Sequence, residues 1–277
     1  MTVRFWKYHG LGNDFVVLDR RGRPAIGADA ARAVCDRHTG VGADGILAFT
    51  EDQDGRPHMR VHNADGSVAD MCGNGLRCFV RWLVDVHGVP AGGPLVVSTD
   101  AGDQRCVPIL ADDGCVEAVS IDLGAPRFQG RATLEVGGQR YEGDDLFLGN
   151  PHFVVVREPA PGEPAANGYA LSVHPHFPRG ANIEWLVPTS RRTARLVVYE
   201  RGCGLTRACG TGGAGAAASA VQQGLLDADA DLTITQPGGD LVYRVARDFG
   251  EVWMTGPAEP VFEGVLSSQF PVLSSEN

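Results

Sequence analysis

Short apolar runs separated by turn-forming residues dominate this sequence. Four runs are rich in β-branched or aromatic side chains, and their length predicts buried strands at residues 15–19, 95–98, 153–156 and 196–199. Glycine, proline and aspartate bound most of the runs, as expected for tight turns between strands. The chain is therefore predicted to be rich in β-sheet.

Three longer segments follow the period of an α-helix instead. Residues 75–86 place apolar side chains at i, i+3, i+4, i+7 and i+8, namely Leu76, Phe79, Val80, Leu83 and Val84. Residues 27–38 and 211–223 are also predicted to be helical, and the second is so rich in alanine that another element must pack closely against it. Residues 158–168, with three prolines and two glycines, are predicted to form a surface loop.

A five-residue motif occurs twice in the chain. Met71-Cys-Gly-Asn-Gly75 and Ala208-Cys-Gly-Thr-Gly212 share the pattern Cys-Gly-x-Gly, and each stands at the start of a predicted helix. The second cysteine follows the first by 137 residues, about half of the 277-residue chain. A chain of this length has room for two domains of roughly 150 residues. The repeat therefore predicts two similar halves.

Composition and charge narrow the classes of protein that remain. Apolar residues make up 43% of the chain and charged residues 21%, as in ordinary globular proteins. The net charge of -10 gives no basic field for phosphates, so nucleic acid is not expected as a partner. No apolar stretch approaches the roughly 20 residues of a membrane-spanning helix. Because the N-terminal residues also lack the apolar core of a signal peptide, a cytoplasmic location is expected.

The scarcity of lysine restricts the chemistry further. Lys7 is the only lysine among the 24 basic residues. Pyridoxal phosphate enzymes hold their cofactor through a lysine, and a P-loop needs its Gly-Lys-Ser/Thr, which this chain lacks. The seven cysteines are expected to be free thiols in a reducing compartment. Thiol chemistry is therefore the main candidate.

Two cysteines at helix N-termini suit one reaction in particular. The unpaired N–H groups and the dipole of a helix N-terminus favour negative charge, so Cys72 and Cys209 are expected to have a lowered pKa. The glycines that follow let backbone N–H groups approach a ligand. One thiolate can remove an α-proton while the other thiol returns a proton to the opposite face, which inverts a stereocentre without a cofactor. The other cysteines are expected to be small core residues: Cys35, Cys78, Cys106, Cys115 and Cys203.

An amino acid bound between two thiols needs partners for its charged groups. Four asparagines in turn-like contexts offer side-chain amides: Asn13, Asn63, Asn150 and Asn182. Glu200 and Arg201, just before the second cysteine motif, offer an ion pair for the charged ends of such a ligand.

Seven segments, in order along nearly the whole chain, carry a resemblance to one family. They are Lys7-Tyr-His-Gly-Leu-Gly-Asn-Asp-Phe15, Asp36-Arg-His-Thr-Gly-Val-Gly-Ala-Asp44, Asn63-Ala-Asp-Gly-Ser67, Met71-Cys-Gly-Asn-Gly-Leu-Arg-Cys78, Gly149-Asn-Pro-His152, Tyr199-Glu-Arg-Gly202 and Thr206-Arg-Ala-Cys-Gly-Thr-Gly212. With its two cysteine motifs, the sequence resembles the diaminopimelate epimerases.

The resemblance implies a fold and an activity. The fold is α/β, with two pseudo-symmetric domains, each a mixed and mostly antiparallel sheet curled around a central helix. The N-terminal domain would comprise residues 1–118, completed by about 263–277, and the C-terminal domain residues 119–262. The activity is interconversion of LL- and meso-diaminopimelate, in lysine and peptidoglycan precursor synthesis. The family implies a homodimer that uses no cofactor, neither pyridoxal phosphate nor a metal.

The resemblance also implies roles for individual residues. Cys72 and Cys209 match the catalytic acid/base thiols, and His152 and Glu200 match residues that tune the proton affinity of the thiols. The positions that bind substrate are matched by Asn13, Asn63, Gly73, Asn74, Asn150, Asn182, Glu200, Arg201, Gly210 and Thr211. Gly45 departs from the pattern, because some members carry a substrate-contacting glutamine there, and Trp185 stands where phenylalanine is more usual.

Other interpretations remain open. A racemase of proline, histidine or another amino acid would use the same fold and thiols. A zinc-binding module could use four cysteines, Cys72, Cys78, Cys203 and Cys209, although the usual ligand spacing is C-x₂₋₄-C. Residues 210–215 fit the G-x-G-x-x-G of dinucleotide-binding proteins, but residues 201–209 separate them from the preceding predicted strand.

Overall fold

Tight turns divide the chain into short strands and a few helices, as the sequence predicts. A computed structural model describes residues 3–267 and residue 270, and all elements named below lie in that part of the chain. The chain folds into two compact units, one of Met1–Ile121 with Gly256–Asn277 and one of Asp122–Thr255. The domain boundaries given above remain a prediction. Residues 268–269 and 271–277 of the expected C-terminal completion lie outside the described residues.

The first unit is a mixed sheet with two helices. Its elements, numbered along the chain, are β1 (Val3–Gly10), β2 (Asn13–Asp19), α1 (Ala28–Cys35), β3 (Gly45–Glu51), β4 (Pro57–Asn63), β5 (Val68–Ala69), α2 (Gly73–His87), β6 (Leu95–Thr99), β7 (Gly102–Leu110), β8 (Val116–Asp122) and β18 (Glu259–Leu266). The strand order is β18–β1–β2–β3–β4–β6–β7–β8, with β5 also paired to β4. The pairs β2/β3 and β4/β6 are parallel, and the others are antiparallel.

The second unit has the same construction. Its elements are β9 (Arg127–Val136), β10 (Gln139–Leu148), β11 (Asn150–Val156), α3 (Glu163–Ser172), β12 (Asn182–Pro188), β13 (Thr193–Glu200), β14 (Gly204–Leu205), α4 (Gly210–Gln222), β15 (Leu232–Gln236), β16 (Gly239–Val245) and β17 (Val252–Gly256). The strand order is β9–β10–β11–β12–β13–β15–β16–β17, with β14 also paired to β13. Only β11/β12 and β13/β15 are parallel among these pairs.

The two sheets agree residue by residue. Phe15 lies opposite Gly45 in the parallel pair β2/β3, and His152 lies opposite Asn182 in β11/β12. Phe15 and His152 are 137 residues apart, and so are Gly45 and Asn182; the two cysteine motifs have the same spacing. The predicted fold class is confirmed: each half is a mixed, mostly antiparallel sheet with a helix packed against it.

The predicted strands are also confirmed. The four apolar runs lie within β2, β6, β11 and β13. Val16, Val17 and Leu18 of β2 have no exposed surface, so both faces of this strand are buried. Burial of each such side chain contributes about 1.5–3 kcal/mol. Buried apolar side chains therefore stabilise the sheets, and polar groups can occupy the strand ends and turns.

The helix that follows each cysteine motif packs against the sheet of its own unit, and this contact sets the composition of the helix. In α2 the predicted apolar positions Leu76, Phe79, Val80 and Leu83 are buried, and the helix packs against β1, β2, β4, β7 and β18. In α4 the glycines and alanines are buried against β10, β11, β12, β15 and β16. A Cβ on Gly213 would collide with the Tyr243 hydroxyl. The expected close packing over the alanine-rich helix is thus confirmed.

Two segments differ from the sequence prediction. Residues 158–168 are not a loop throughout, because α3 begins at Glu163. Pro164, the last of the three prolines, lies in the first turn of α3, where its missing N–H leaves no helical bond unmade. The Glu163 carboxylate also accepts a hydrogen bond from the Ala160 N–H at 2.6 Å. In the other segment, α1 ends at Cys35, since the Asp36 carboxylate binds the N–H groups of His38 and Thr39 in a turn.

Within the described part of the chain, the helices are too short or too polar to cross a membrane.

Candidate active site

Cys72 lies at the N-terminus of α2. Its backbone is extended (φ −139°, ψ 117°), and its Sγ accepts a hydrogen bond from the Gly75 N–H at 3.5 Å. The Leu76 N–H makes the next bond, to the Cys72 carbonyl at 2.8 Å. Helix geometry provides no acceptor within the helix for the N–H groups of Gly73 and Asn74. These two donors can therefore bind an anion beside the thiol.

A chain of side-chain hydrogen bonds fixes the orientation of Asn13. The buried Arg77 guanidinium donates to Asn74 Oδ1 at 2.7 Å. Asn74 Nδ2 donates to Asn13 Oδ1 at 3.2 Å, and Asn13 Nδ2 donates to Asp44 Oδ2 at 2.8 Å. Because a guanidinium only donates and a carboxylate only accepts, each amide has one allowed orientation. The carbonyl oxygen of Asn13 therefore faces the first thiol, with Oδ1 3.9 Å from Cys72 Sγ.

Asp44 belongs to a cluster of charged side chains behind Asn13. Arg37 lies 2.7 Å from carboxylate oxygens of both Asp14 and Asp44, and the buried Lys7 lies 2.5 Å from Asp14. Burial raises the pKa of Asp14, but hydrogen bonds from Arg37 and Lys7 outweigh it and hold that pKa well below its usual range. The cluster therefore keeps the acceptor for the Asn13 amide in place.

Asn63 and Gly45 lie opposite each other in β4 and β3. The Asn63 amide donates to Ser67 Oγ at 2.9 Å, so this side chain bonds within its own turn. A Cβ on Gly45 would be 2.7 Å from the His62 carbonyl oxygen. A glutamine therefore does not fit at position 45 without movement of the backbone. Of the predicted site residues in this unit, the structure joins Cys72, Asn74 and Asn13 directly.

Cys209 occupies the equivalent position in the second unit. Its backbone is extended (φ −122°, ψ 114°), and its Sγ accepts a hydrogen bond from the Gly212 N–H at 3.4 Å. Thr211 Oγ1 lies 3.7 Å from the same sulfur. The N–H groups of Gly210 and Thr211 have no acceptor within the helix. Each cysteine turn therefore combines a thiol with two backbone donors suited to an anion.

The protonation of Cys209 differs from the expectation. Its side chain is buried, and burial raises the pKa of the thiol well above its ordinary value. The charges of Glu200 and Glu184 raise it further, while the Gly212 N–H and the Thr211 hydroxyl lower it. The prediction of a lowered pKa is thus wrong for Cys209, because loss of water and two carboxylates outweigh the helix N-terminus. Without a ligand, Cys209 is a protonated thiol at neutral pH.

Glu200 lies at the end of β13, in the strand that precedes the second cysteine turn. Its Oε1 accepts a hydrogen bond from the Thr206 hydroxyl at 2.5 Å, and its carbonyl accepts one from the Cys203 N–H at 3.1 Å. These bonds hold a half-buried carboxylate close enough to raise the pKa of Cys209. Its effect on the thiol is therefore electrostatic.

Three more predicted site residues form a second amide chain. The Arg201 N–H donates to Asn182 Oδ1 at 2.8 Å, and Asn182 Nδ2 donates to Asn150 Oδ1 at 3.2 Å. The backbone donor fixes the orientation of both amides, so the Asn150 Nδ2 group is directed away from Asn182. The Arg201 guanidinium is exposed and donates to the Arg179 carbonyl at 2.8 Å.

A buried ionisable pair lies under the N-terminal half of α4. His152 and Glu184 have no exposed surface, and His152 Nδ1 is 2.7 Å from Glu184 Oε1. His152 Nε2 is 3.3 Å from the Leu148 carbonyl oxygen. Burial raises the pKa of Glu184, and the charge and hydrogen bond of His152 oppose that shift. A Cβ on Gly215 would be 3.3 Å from the imidazole ring, which places His152 directly against the helix.

Four residues that contact the cysteine turns or their amide chains are not identified from the sequence. They are Arg77, Asp44, Glu184 and Gln236. Glu184 had a detectable signal, because it is a charged residue inside the apolar run 183–187. Its counterpart 137 residues earlier is Leu47, so alignment of the two halves would have marked it. Trp185, the neighbouring departure from the family pattern, is a buried core residue.

The remaining cysteines separate into two groups. Cys35, Cys78 and Cys106 are buried, as expected, and burial raises the pKa of Cys35 to about 11 and of Cys78 to about 12. Cys115 and Cys203 are exposed, so the expectation of core positions is wrong for them. Both lie in turns, between β7 and β8 and between β13 and β14, where the chain reverses at the surface.

The zinc and dinucleotide alternatives find little support in the geometry. Among residues 3–267 and 270, no three His, Cys, Asp or Glu side chains lie close enough to hold a metal ion. Cys78 is buried inside α2 rather than placed on a metal-binding turn. For the dinucleotide fingerprint, the preceding long strand should lead directly into the glycines, but β13 ends at Glu200 and α4 begins only at Gly210.

Comparison with known proteins gives one consistent family. The family model described as diaminopimelate epimerase matches residues 5–128 and 147–261. The chain is 39% identical over 288 residues to a diaminopimelate epimerase of Synechococcus sp. (strain JA-3-3Ab), covering 96% of this chain and 98% of that protein. It is 38% identical over 278 residues to the diaminopimelate epimerase of Desulfitobacterium hafniense, covering 94% of this chain and 96% of that protein. It is 39% identical over 283 residues to that of Laribacter hongkongensis, covering 96% and 100%.

Solved structures of lower identity share the fold. A phenazine biosynthesis protein of the PhzF family from Bacillus anthracis has a TM-score of 0.73 at 16% identity, covering 96% of this chain and 99% of that chain. A hydroxyproline epimerase from Agrobacterium vitis, with bound trans-4-hydroxy-L-proline, has a TM-score of 0.71 at 14% identity, covering 98% and 94%. At these identities the similarity concerns the fold alone.

Proposed function

The chain belongs to the diaminopimelate epimerase family, and on this premise we propose that it interconverts LL- and meso-diaminopimelate by proton transfer through Cys72 and Cys209. The observation that carries the proposal is the repeated turn, in which each thiol caps a helix N-terminus beside two backbone N–H groups. The reaction needs a proton acceptor and a proton donor for the same α-carbon, and two such turns can supply them.

The proposed reaction breaks one Cα–H bond and forms another. A thiolate takes the α-proton, and the electron pair of the Cα–H bond stays on the substrate as a carbanion. The second thiol gives its proton to the opposite face, which forms the new Cα–H bond and leaves that sulfur as a thiolate. The thiols exchange roles in the reverse direction, so each acts as the base for one stereoisomer.

The resting state favours one assignment of the first step. Burial and two carboxylates keep Cys209 protonated when no ligand is bound. We therefore infer that Cys209 is the proton donor for the stereoisomer that the resting protein binds first, and that Cys72 takes the α-proton of that stereoisomer. For the other stereoisomer the roles are reversed: Cys72 must carry the proton, and Cys209 must be the thiolate that takes the α-proton.

The charged groups of the substrate have matching partners in both turns. A carboxylate suits the N–H groups of Gly73 and Asn74 or those of Gly210 and Thr211. These donors become more effective as negative charge spreads from the carbanion to the carboxylate. The amides suited to the ends of the substrate are those of Asn13, Asn63, Asn150 and Asn182, together with the charged groups of Glu200 and Arg201.

The proposal is tested by incubation of the reduced protein with LL-diaminopimelate and no added cofactor. Chiral chromatography should detect the meso form, and hydroxylamine, which traps the aldehyde of pyridoxal phosphate, should leave the rate unchanged. Absence of interconversion by folded, reduced protein would contradict the proposed function. Loss of activity with hydroxylamine would contradict the cofactor-independent mechanism.

Proline and histidine, tested in parallel, address the alternative racemase. Racemisation of either one without conversion of diaminopimelate would move the assignment to that amino acid. The role in lysine and peptidoglycan precursor synthesis follows only if the meso form is produced. The cytoplasmic location and the homodimer remain predictions, and light scattering of the purified protein measures the second.

A further inference from the structure

The two halves of the chain differ at one pair of buried positions. At the spacing of 137 residues, His152 and Glu184 correspond to Phe15 and Leu47. The strand pairs that carry them have the same parallel register. All four side chains are buried, and three of them have no exposed surface. An ionisable pair in one half thus replaces an apolar pair in the other.

Leu47 and Glu184 lie against the first turn of the helix in their own unit. In the first unit, a Cβ on Gly75 would be 2.9 Å from Leu47. In the second unit, a Cβ on the equivalent Gly212 would be 3.0 Å from Glu184 Oε1 and 3.2 Å from Cys209 Sγ. Glu184 and the Cys209 sulfur therefore flank the same point of the helix.

The fold itself does not require an ionisable pair here. Burial of a carboxyl group and an imidazole is less favourable than burial of apolar side chains of similar size. Phe15 and Leu47 fill the equivalent space in the first unit with no polar side-chain atom. The reason for His152 and Glu184 must then be sought in their effect on the neighbouring thiol.

The hydrogen-bond partners of His152 determine how many protons the pair holds. The Leu148 carbonyl only accepts, so His152 Nε2 carries a hydrogen. Nδ1 and Glu184 Oε1, at 2.7 Å, then share a single proton. Glu184 Oε2 has no hydrogen-bond partner within residues 3–267 and 270, so the proton shared with His152 is the one that balances the charge of this buried carboxyl. The pair is therefore neutral overall and holds one proton that can lie on either residue.

We propose that Glu184 is a positioning residue for Cys209: it holds His152 through the shared proton and opposes ionisation of the second thiol until substrate binds. The proposal rests on the proposed function, in which Cys209 is the proton donor. Loss of the shared proton would leave a buried negative charge beside the sulfur, which opposes formation of a thiolate.

The groups that face this thiol come from several elements. Glu184 lies on β12 and Glu200 on β13, and the charges of both act on the Cys209 thiol, while His152 on β11 is hydrogen-bonded to Glu184. Tyr243 on β16 donates to the Gly210 carbonyl at 3.1 Å, so its hydroxyl is engaged by the helix backbone. The substitution Glu184→Gln removes one carboxylate charge, leaves the Glu200 carboxylate in place, and puts an amide of the same size in the buried position.

The pH dependence of alkylation at Cys209 tests the proposal directly. The rate of iodoacetamide labelling, measured on the peptide that contains Cys209, gives the midpoint of thiolate formation in the unliganded protein. In Glu184→Gln the midpoint should fall by about half a pH unit or more, which raises the thiolate fraction below the midpoint about threefold. The pH profile of kcat/KM should move in the same direction. An unchanged midpoint in the folded variant would overturn the proposal.

Asp144→Asn is the matched control. Asp144 is also a buried carboxyl against α4, where it accepts hydrogen bonds from Ser219 at 2.6 Å and Gln223 at 2.8 Å, near the other end of the helix. Its substitution should leave the Cys209 midpoint unchanged. The same shift in both variants would indicate a general effect of α4 stability and would overturn a specific role for Glu184.

A second variant separates positioning from simple filling of space. The double substitution His152→Phe with Glu184→Leu copies the pair that the first unit carries at 15 and 47. We expect this variant to fold and to lose at least about tenfold in kcat. A wild-type kcat would overturn the proposal. If the wild-type protein shows no epimerase activity, the proposed function fails, and the alkylation midpoints still decide the effect of Glu184 on Cys209.

Discussion

Gln236 binds the backbone of Cys209 on both sides. Its Oε1 accepts a hydrogen bond from the Cys209 N–H at 2.8 Å, and its Nε2 donates to the Cys209 carbonyl at 3.4 Å. At the equivalent position of the first half stands Thr99, whose hydroxyl donates to the Gly102 carbonyl at 2.7 Å instead. One buried amide therefore holds the second cysteine turn to β15, and the first turn has no such side chain at this place.

Substitution Gln236→Leu should loosen the second cysteine turn. It removes two hydrogen bonds and leaves buried backbone groups unpaired, which costs about 1–3 kcal/mol. We expect a corresponding decrease in the free energy of unfolding, measured with urea, and a fall of about tenfold in kcat with a smaller change in KM. Thr99→Val, the equivalent change in the first unit, should leave kcat within about twofold. Equal loss of kcat in both variants would contradict a specific role for Gln236.

Removal of either thiol of the proposed pair should abolish epimerisation. Cys72→Ala leaves no group at the first turn that can take or give the α-proton, and Cys209→Ala has the same consequence at the second turn. The rates are measured by conversion of LL- to meso-diaminopimelate. Cys115→Ala, at an exposed cysteine in a turn, serves as the control and should keep full activity. Substantial turnover by either turn variant is incompatible with the two-thiol mechanism.

Arg77→Lys should release the amides of the first unit. Arg77 holds Asn74 and also donates to the Pro257 carbonyl at 3.1 Å, and a lysine lacks the planar fork for both contacts. Asn74 and Asn13 could then rotate, so we expect KM to rise about tenfold or more. Arg81→Lys, one turn later in α2, is the control because Arg81 contacts neither amide. Steady-state kinetics with an unchanged KM for Arg77→Lys would show that the amide orientation is held by other contacts.

Asp14 should contribute to acid sensitivity. Its pKa in the folded protein is below that in the unfolded chain, which is about 3.9. Its stabilising effect is therefore complete above about pH 5 and is lost as the pH falls from there through 3 and below. Asp14→Asn should be less stable at pH 7 and should lose less further stability between pH 5 and 3, as measured by urea unfolding. The exposed Asp54→Asn should retain the wild-type pH dependence; an identical curve for Asp14→Asn would contradict the ion pairs described for it.

The features that the sequence predicts well are local. Residues 153–156 fall in a strand because branched apolar side chains suit a strand buried on both faces. Cys72 and Cys209 begin helices because the glycine turns and the helical periodicity after them act within a few residues. Together with the family resemblance, these local signals were enough to predict the fold class.

The features that the sequence does not predict depend on distant contacts. The start of α3 depends on Glu163, which pairs with Arg157, so a segment rich in proline still becomes helical. The pKa of Cys209 depends on burial and on Glu184 and Glu200, which lie on other strands. A helix N-terminus by itself predicts the opposite direction. Such effects become visible only when the strands are placed beside the helix.

The fate of the α-hydrogen in D₂O is the most direct test of the two-thiol account. LL-diaminopimelate is converted in D₂O to low extent, and the meso product and the remaining LL substrate are analysed separately by NMR. The account predicts that the product carries deuterium at the inverted Cα from the first turnovers, while the remaining substrate keeps its hydrogen, because the new proton comes from the second thiol. Product that retains the hydrogen of the substrate would mean that a single group removes and returns it, and would contradict the account.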